Sequence, residues 1–362
     1  MKNLLFYAFL FSFSISFSNS LESSNDEEKF NVTDMIMHHI KDSHEFHILD
    51  WKGEGVSIPL PIILWTDNGL VSFLSSEFHH DDEANEVVVK NGQSFVKYHE
   101  EIYYASLEPN KSGQYISINK DLYPTNSKPL DFSITKLVFS MFLSIVLLLL
   151  IFGVSARNYN KSDKGIPKGI AKFTEPLIIY IRDEVAIPNI GEKHHQKYMP
   201  YLLTLFFFIW INNVIGLIPV FPFSSNLSGN IAFTGVLAGI TFIITTFGGT
   251  KEYWKHIFWM PGVPWPMKIV LAPIELLGVL IKPFSLMIRL YANISAGHIV
   301  LMSLISLIFI FKNWFGSSLS FMLAFSISII EILVAALQAY IFTVLSALYF
   351  GFAVEEHDHD DH

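Results

Sequence analysis

Residues 281–300, IKPFSLMIRLYANISAGHIV, are apolar and long enough to lie within a bilayer, yet they carry Arg289, Asn293 and His298. An arginine at the centre of a membrane helix costs roughly 2.5–3.5 kcal/mol on insertion scales. Arg289 sits too far inside the run to snorkel as a terminal basic residue would. A charge held there needs a partner or a polar access route. In a helix, Ser285, Arg289, Asn293 and Gly297 recur at every fourth position and share one face. That face is polar beside the arginine and small beyond it, as a closely approached helix surface requires. His298, nine residues from Arg289, lies about 180° round the helix and faces something else.

The whole chain agrees with a membrane setting. Only 16% of its residues are charged and 51% are hydrophobic, where a soluble protein carries about 25% charged residues. There is no cysteine, which excludes disulfides, thiolate metal sites and a cysteine nucleophile. The net charge of −9 argues against a nucleic-acid partner, and the acid collects in the N-terminal third and the last few residues. No GxxxxGK[ST] phosphate loop is present.

Taken in order, residues 1–20 have Lys2, an apolar core and small Ser18 and Ser20, the layout of a cleavable signal peptide. Residues 21–131 form a polar, exported segment with expected strands at 86–90 (EVVVK) and 94–98 and a short helix at 31–39. Its His38, His39, His44, His47, His79 and His80 fit either a metal site or a solvated histidine-rich surface. Without ligand spacing the solvated surface is the expectation, and no metal or cofactor is assigned. The membrane part, 132–356, begins with a span at 136–155. Arg157, Lys161, Lys164, Lys168, Lys172, Arg182, Lys193 and Lys197 follow it and mark the cytoplasmic side. Within that basic region, 169–186 reads as a helix lying along the membrane surface. Further spans are expected at 201–220 and 231–247. Two overlong segments follow, 269–311, interrupted by Pro273 and Pro283, and 320–354. Each exceeds one perpendicular crossing, which predicts strongly tilted helices or a broken pair. The expected fold is thus an all-α polytopic membrane protein of about five spans and one surface helix. Its last two helices form a long tilted hairpin, and a small β-containing exported domain precedes them. The tail 357–362 (HDHDDH) is expected to be a solvated acidic terminus.

At three places the text resembles subunit a of the rotary F-type ATP synthases: IRLYANISAGH around Arg289, APIELLGVLIKP before it, and LQAYIFTVLSALYF around Gln338. YIRDEVAIPNIG followed by KYMPYLLTLFFFIWINNVIGLIP adds to the match, which covers roughly 136–357 and omits the exported domain.

The resemblance implies a proton-conducting, non-nucleotide-binding stator subunit of the bacterial inner membrane. Its implied partners are a ring of c subunits, the b-subunit stalk, other synthase subunits, the lipid bilayer and the transported proton. Arg289 would face the ring, where a fixed cation favours the charged form of a passing carboxylate. Asn293, His298, Glu331 and Gln338 would line the outer half-channel, and Glu275, Lys282 and Ser285 the cytoplasmic one. In many relatives the position of His298 is acidic and that of Glu331 is a histidine. Here the types are exchanged, which keeps one acid and one imidazole and implies that the two act together. Asn213 matches a polar family position and equally suits a helix–helix contact. The alternative function is a secondary transporter with an Arg–Glu site, which would call for inverted repeats.

Overall fold

The computed structural model describes residues 41–51, 54–120, 123–160, 168–218, 225–260, 262–311 and 313–355. The expected signal peptide, the helix at 31–39 with His38 and His39, and the tail 357–362 lie outside the described residues. The chain divides into two compact units, each described by itself.

The first unit is built from short strands. β1 (Glu45–Trp51) and β2 (Glu54–Pro59) pair as an antiparallel hairpin. β3 (Pro61–Thr66) and β4 (Gly69–Leu74) pair next, and β5 (Val88–Lys90), β6 (Gln93–Tyr98) and β7 (Glu101–Tyr104) make a three-stranded sheet. β8 (Leu130–Asp131) returns to pair with β3, giving the order β4-β3-β8. The expected strands are β5 and β6. Ile62, Leu64, Val71 and Phe73 alternate inward and meet Phe78, Val88, Phe95 and Ile102 in one core.

Polar groups are also buried in this unit. Lys97 is 2% exposed, with carboxylate oxygens of Glu45, Asp82 and Glu100 at 3.7, 3.8 and 3.7 Å from its ammonium. A buried lysine needs such compensation. His44 is buried too, its Nε2 3.0 Å from Asp131 Oδ2, so the solvated-surface expectation fails for it; His79 and His80 are exposed. The segment 41–44 also holds the first turn of α1 (Lys136–Asn160). The Lys136 amide donates to the Ser43 carbonyl, and the Leu137 amide to Asp42 Oδ1, at 2.8 and 3.1 Å.

The second unit is helical. After α1 come α2 (Ala171–Tyr180), a π-helical turn at Ile181–Ala186 and the short α3 (Ile187–Ile190), where a surface helix was expected. α4 (His195–Leu217) and α5 (Ile231–Gly248) follow, α5 capped by Asn230 Oδ1 accepting from the Ala232 and Phe233 amides. α6 (Lys251–Phe258), capped by Thr250, was not foreseen. α7 (Trp265–Phe311) runs 47 residues without a break, and α8 (Trp314–Val354) 41 residues. The alternative of a broken pair is therefore excluded for α7, since Pro273 and Pro283 lie inside it. At 1.5 Å per residue, α7 is about 70 Å long against about 30 Å of hydrocarbon. Five of these helices are long and apolar enough to cross a membrane: α1, α4, α5, α7 and α8.

Asp131 makes the strand unit sensitive to acid. Burial opposes its charge, but hydrogen bonds from His44 and Ser133 outweigh burial and hold its carboxyl below the ordinary value. Such a group contributes stability above its ordinary pKa of about 3.9 and loses it as pH falls through the lower folded value. Asp131→Asn is expected to reduce hydrogen–deuterium exchange protection around β3 and β8 in the full-length protein at neutral pH. The deficit should disappear in strong acid. Equal protection in parent and variant at neutral pH would show that the pair adds nothing.

Candidate functional site

The orientation of α7 is set by its apolar row. Leu286, Leu290 and Ile294 are buried in one core with Leu202, Leu205 and Ile209 of α4 and Ala339 and Phe342 of α8. His298 continues that row at 9% exposure. Burying this row turns the adjacent one outward. Arg289 and Asn293 are exposed, and Ser285 and Gly297 are half-buried. Arg289 makes no hydrogen bond or ion pair among the described residues. An arginine paired with Glu331 of its own chain is therefore not what the structure shows.

Ala324, Glu331, Ala335, Gln338 and Phe342 are buried on α8, Glu331 against Gly297 of α7 and Ala335 beside Asn213 of α4. Glu331, Ala335, Gln338 and Phe342 follow at spacings of four, three and four, which keeps them on one side of α8. Glu331 is 4% exposed and Gln338 6%. The Glu331 carboxylate lies against Gly297, so close that a Cβ at that position would collide with Oε1. Glu331 thus reaches the Arg289 row two turns further along, about 12 Å from the arginine along the axis. Neither of its carboxylate oxygens has a hydrogen-bond partner among the described residues. His298 and Glu331 form no hydrogen bond or ion pair with each other; the acid touches the glycine beside the histidine. Asn213 is a tie between helices: its Nδ2 donates to the Ala335 carbonyl at 3.2 Å.

The other end of α7 is different. The Lys282 ammonium lies 5.2 Å from the Phe352 ring centroid and 5.8 Å from that of Tyr349, a double cation–π contact. It shares a small pocket with Thr241, Thr245, Tyr253 and Tyr349. The Tyr201 hydroxyl lies 2.8 Å from Thr241 Oγ1. Glu275 is half-buried on α7 and is not brought to Lys282. The structure therefore joins Gly297 with Glu331, leaves Arg289 and Asn293 outward, and keeps Lys282 and Ser285 apart from the acid. The hydroxyl lining of the Lys282 pocket was missed from sequence, since threonines inside apolar runs give no pattern of their own.

Fold and site together define a polytopic α-helical membrane protein with an intramembrane cation on its outer flank and an acid buried in its last hairpin. Comparison with known proteins narrows this: residues 138–351 match the ATP synthase A chain family, and the chain belongs to that family. Residues 35–132 match a domain of unknown function, DUF8433. ATP synthase subunit a of Chloroherpeton thalassium is 43% identical over 235 residues, 64% of this chain and 69% of that relative. ATP synthase subunit a 2 of Chlorobaculum tepidum is 42% identical over 240 residues, 64% of this chain and 66% of that one. ATP synthase subunit a of an Anaeromyxobacter species is 38% identical over 264 residues, 71% of this chain and 60% of the relative. The chain is thus a multi-pass membrane protein whose matched part spans between 60% and 69% of these three relatives.

The Gly297 contact is directly testable. Gly297→Leu would drive a side chain into Glu331 and is expected to abolish most coupled proton pumping while the assembled complex is still recovered. Gly297→Ala should cost much less, because the flexible end of Glu331 can yield. Full pumping in Gly297→Leu would show that the acid does not depend on this fit.

Proposed function

We propose that this chain is the proton-conducting stator subunit of a rotary ATP synthase, working against a ring of c subunits and held by the b-subunit stalk. The observation that carries the reading is Arg289, exposed on the flank of α7 with no hydrogen bond or ion pair among the described residues of its own chain. In hydrocarbon such a charge needs an external counter-charge. A membrane-buried carboxylate on each ring subunit supplies one. As a carboxylate turns towards Arg289, the fixed cation favours its charged form, and its proton leaves to the compartment open on that side. Past Arg289 the carboxylate takes a proton from the other side. Arginine suits the position because it stays charged, and its charge bars a proton from hopping straight across.

Asn293, His298, Glu331 and Gln338 serve the outer half-channel, with Glu331 seated on the glycine next to His298. Glu275, Lys282 and Ser285 serve the cytoplasmic half-channel. The basic segment after α1 supports a cytoplasmic position for that side, with the strand unit outside a bacterial inner membrane and the C-terminus inside. ATP chemistry belongs to partner subunits; this chain is not itself the nucleotide enzyme. A secondary transporter with an Arg–Glu site is not favoured, because Arg289 and Glu331 form no ion pair.

Arg289→Ala in the assembled complex is expected to abolish ATP-driven proton pumping in membrane vesicles while passive leak persists or rises. Normal coupled pumping would overturn the proposal. The exchanged pair has its own test. His298→Glu combined with Glu331→His is expected to retain more pumping than either single change. A double variant no better than the singles would separate the two residues functionally.

A further inference from the structure

The sheet β4-β3-β8 is apolar on the face turned away from the core. Its inner face feeds the core of the strand unit, as described. The outer face follows from the register. Trp65 stands between Leu70 and Leu130, and Ile63 stands between Ser72 and Phe132. Pro61 stands between Leu74 and Ile134. Of these nine residues only Ser72 is polar and none is charged. Trp65 is 58% exposed, Leu70 58%, Leu130 65% and Phe132 63%. Three strands about 4.8 Å apart and three rungs about 7 Å apart make a flat patch roughly 10 by 13 Å before side chains are added. An antiparallel sheet with one solvated face alternates apolar and polar residues, and this one does not. An apolar patch of this kind marks an interaction surface.

What covers it is indicated by where the chain goes next. The strand 130–134 runs along β3 and enters α1 at Lys136, two residues past the rung of Leu74, Pro61 and Ile134. The junction is tied by the Ser43 and Asp42 bonds to the first turn and by Phe46 against Phe139, with centroids 6.0 Å apart. α1 exposes Phe142, Val146, Leu149 and Leu150, the surface a span offers to lipid. From Leu130 to Lys136 the chain can extend at most about 20 Å, which keeps the apolar face within that reach of the point where α1 enters the bilayer. Trp is a residue of the membrane interface, and the face bears no charge to keep it in water.

We propose that the outer face of the β4-β3-β8 sheet rests on the lipid surface of the leaflet that α1 enters, so that the exported unit is a membrane-seated module. The absence of native cysteine makes single labels clean. Nitroxide would be attached to Leu70→Cys or Leu130→Cys on the face, and to Val89→Cys or Leu107→Cys, exposed residues off it. The labelled, assembled complex would be placed in phosphatidylethanolamine–phosphatidylglycerol vesicles. Relative collision rates with oxygen, which partitions into lipid, and with a water-soluble nickel chelate would then be read by electron paramagnetic resonance. A severalfold higher oxygen-to-nickel ratio at 70 and 130 than at 89 and 107 is expected. All four labelled side chains are exposed, so no core packing is lost. Nickel-dominated collisions at 70 and 130 would overturn the proposal by placing the face in water. Shielding from both reagents would overturn it in favour of a protein partner, and dipolar broadening in favour of a second copy.

Discussion

The burial of the row Leu286, Leu290 and Ile294 is the constraint on which the rest of the helical unit depends. Helix–helix contact in lipid rests on packing, and these residues supply it where α7 meets α5 and α8. Because rows on a helix are fixed at about 100° per residue, seating one row decides where the next one points. The position of Arg289 is thus a consequence of leucines and not of any bond the arginine makes. An internal pair with Glu331 would satisfy both charges and leave neither for an outside group. The chain instead carries the cost of an unpaired cation of roughly 2.5–3.5 kcal/mol.

The seam between α7 and α8 shows the same economy of contacts. Glycine at 297 lets two long helices come close enough for one acid to rest on the opposite backbone. Asn213 fastens α4 to α8 through the Ala335 carbonyl, a polar bond placed where hydrocarbon leaves it no competitor. With α4 and α7 both held to α8, the distance from Glu331 to the Arg289 row is set by helix geometry.

Much of this was legible in the chain, and what was not has physical reasons. Arg289 stood out because a charge within an apolar run is costly, and its row followed from helical period alone. The unbroken course of α7 through Pro273 and Pro283 was not legible, because neighbouring groups in a bundle can make good a lost backbone bond. α6 was missed because an eight-residue interfacial helix has too few turns to show a period. His44 was misjudged because its partner, Asp131, lies 87 residues away. β3 and β4 escaped notice because Ile63, Trp65, Leu70 and Leu74 put apolar residues where a polar alternation would have announced a strand. The feature that hid these strands is the one that gives their outer face its character.

The junction at α1 follows the rule that governs Arg289, with the opposite outcome. A helix that enters hydrocarbon begins with backbone N–H groups lacking intrahelical partners. Here a distant segment meets two of them, the Ser43 carbonyl at Lys136 and the Asp42 carboxylate at Leu137. An anionic cap at a helix N-terminus is also favoured by the helix dipole. The donors that would otherwise be left open at the membrane edge are closed by the chain itself, which locks the strand unit to the start of the span. At Arg289 the chain leaves its polar group open. The difference is between polar groups the chain satisfies itself and one it leaves without a hydrogen bond or ion pair among the described residues.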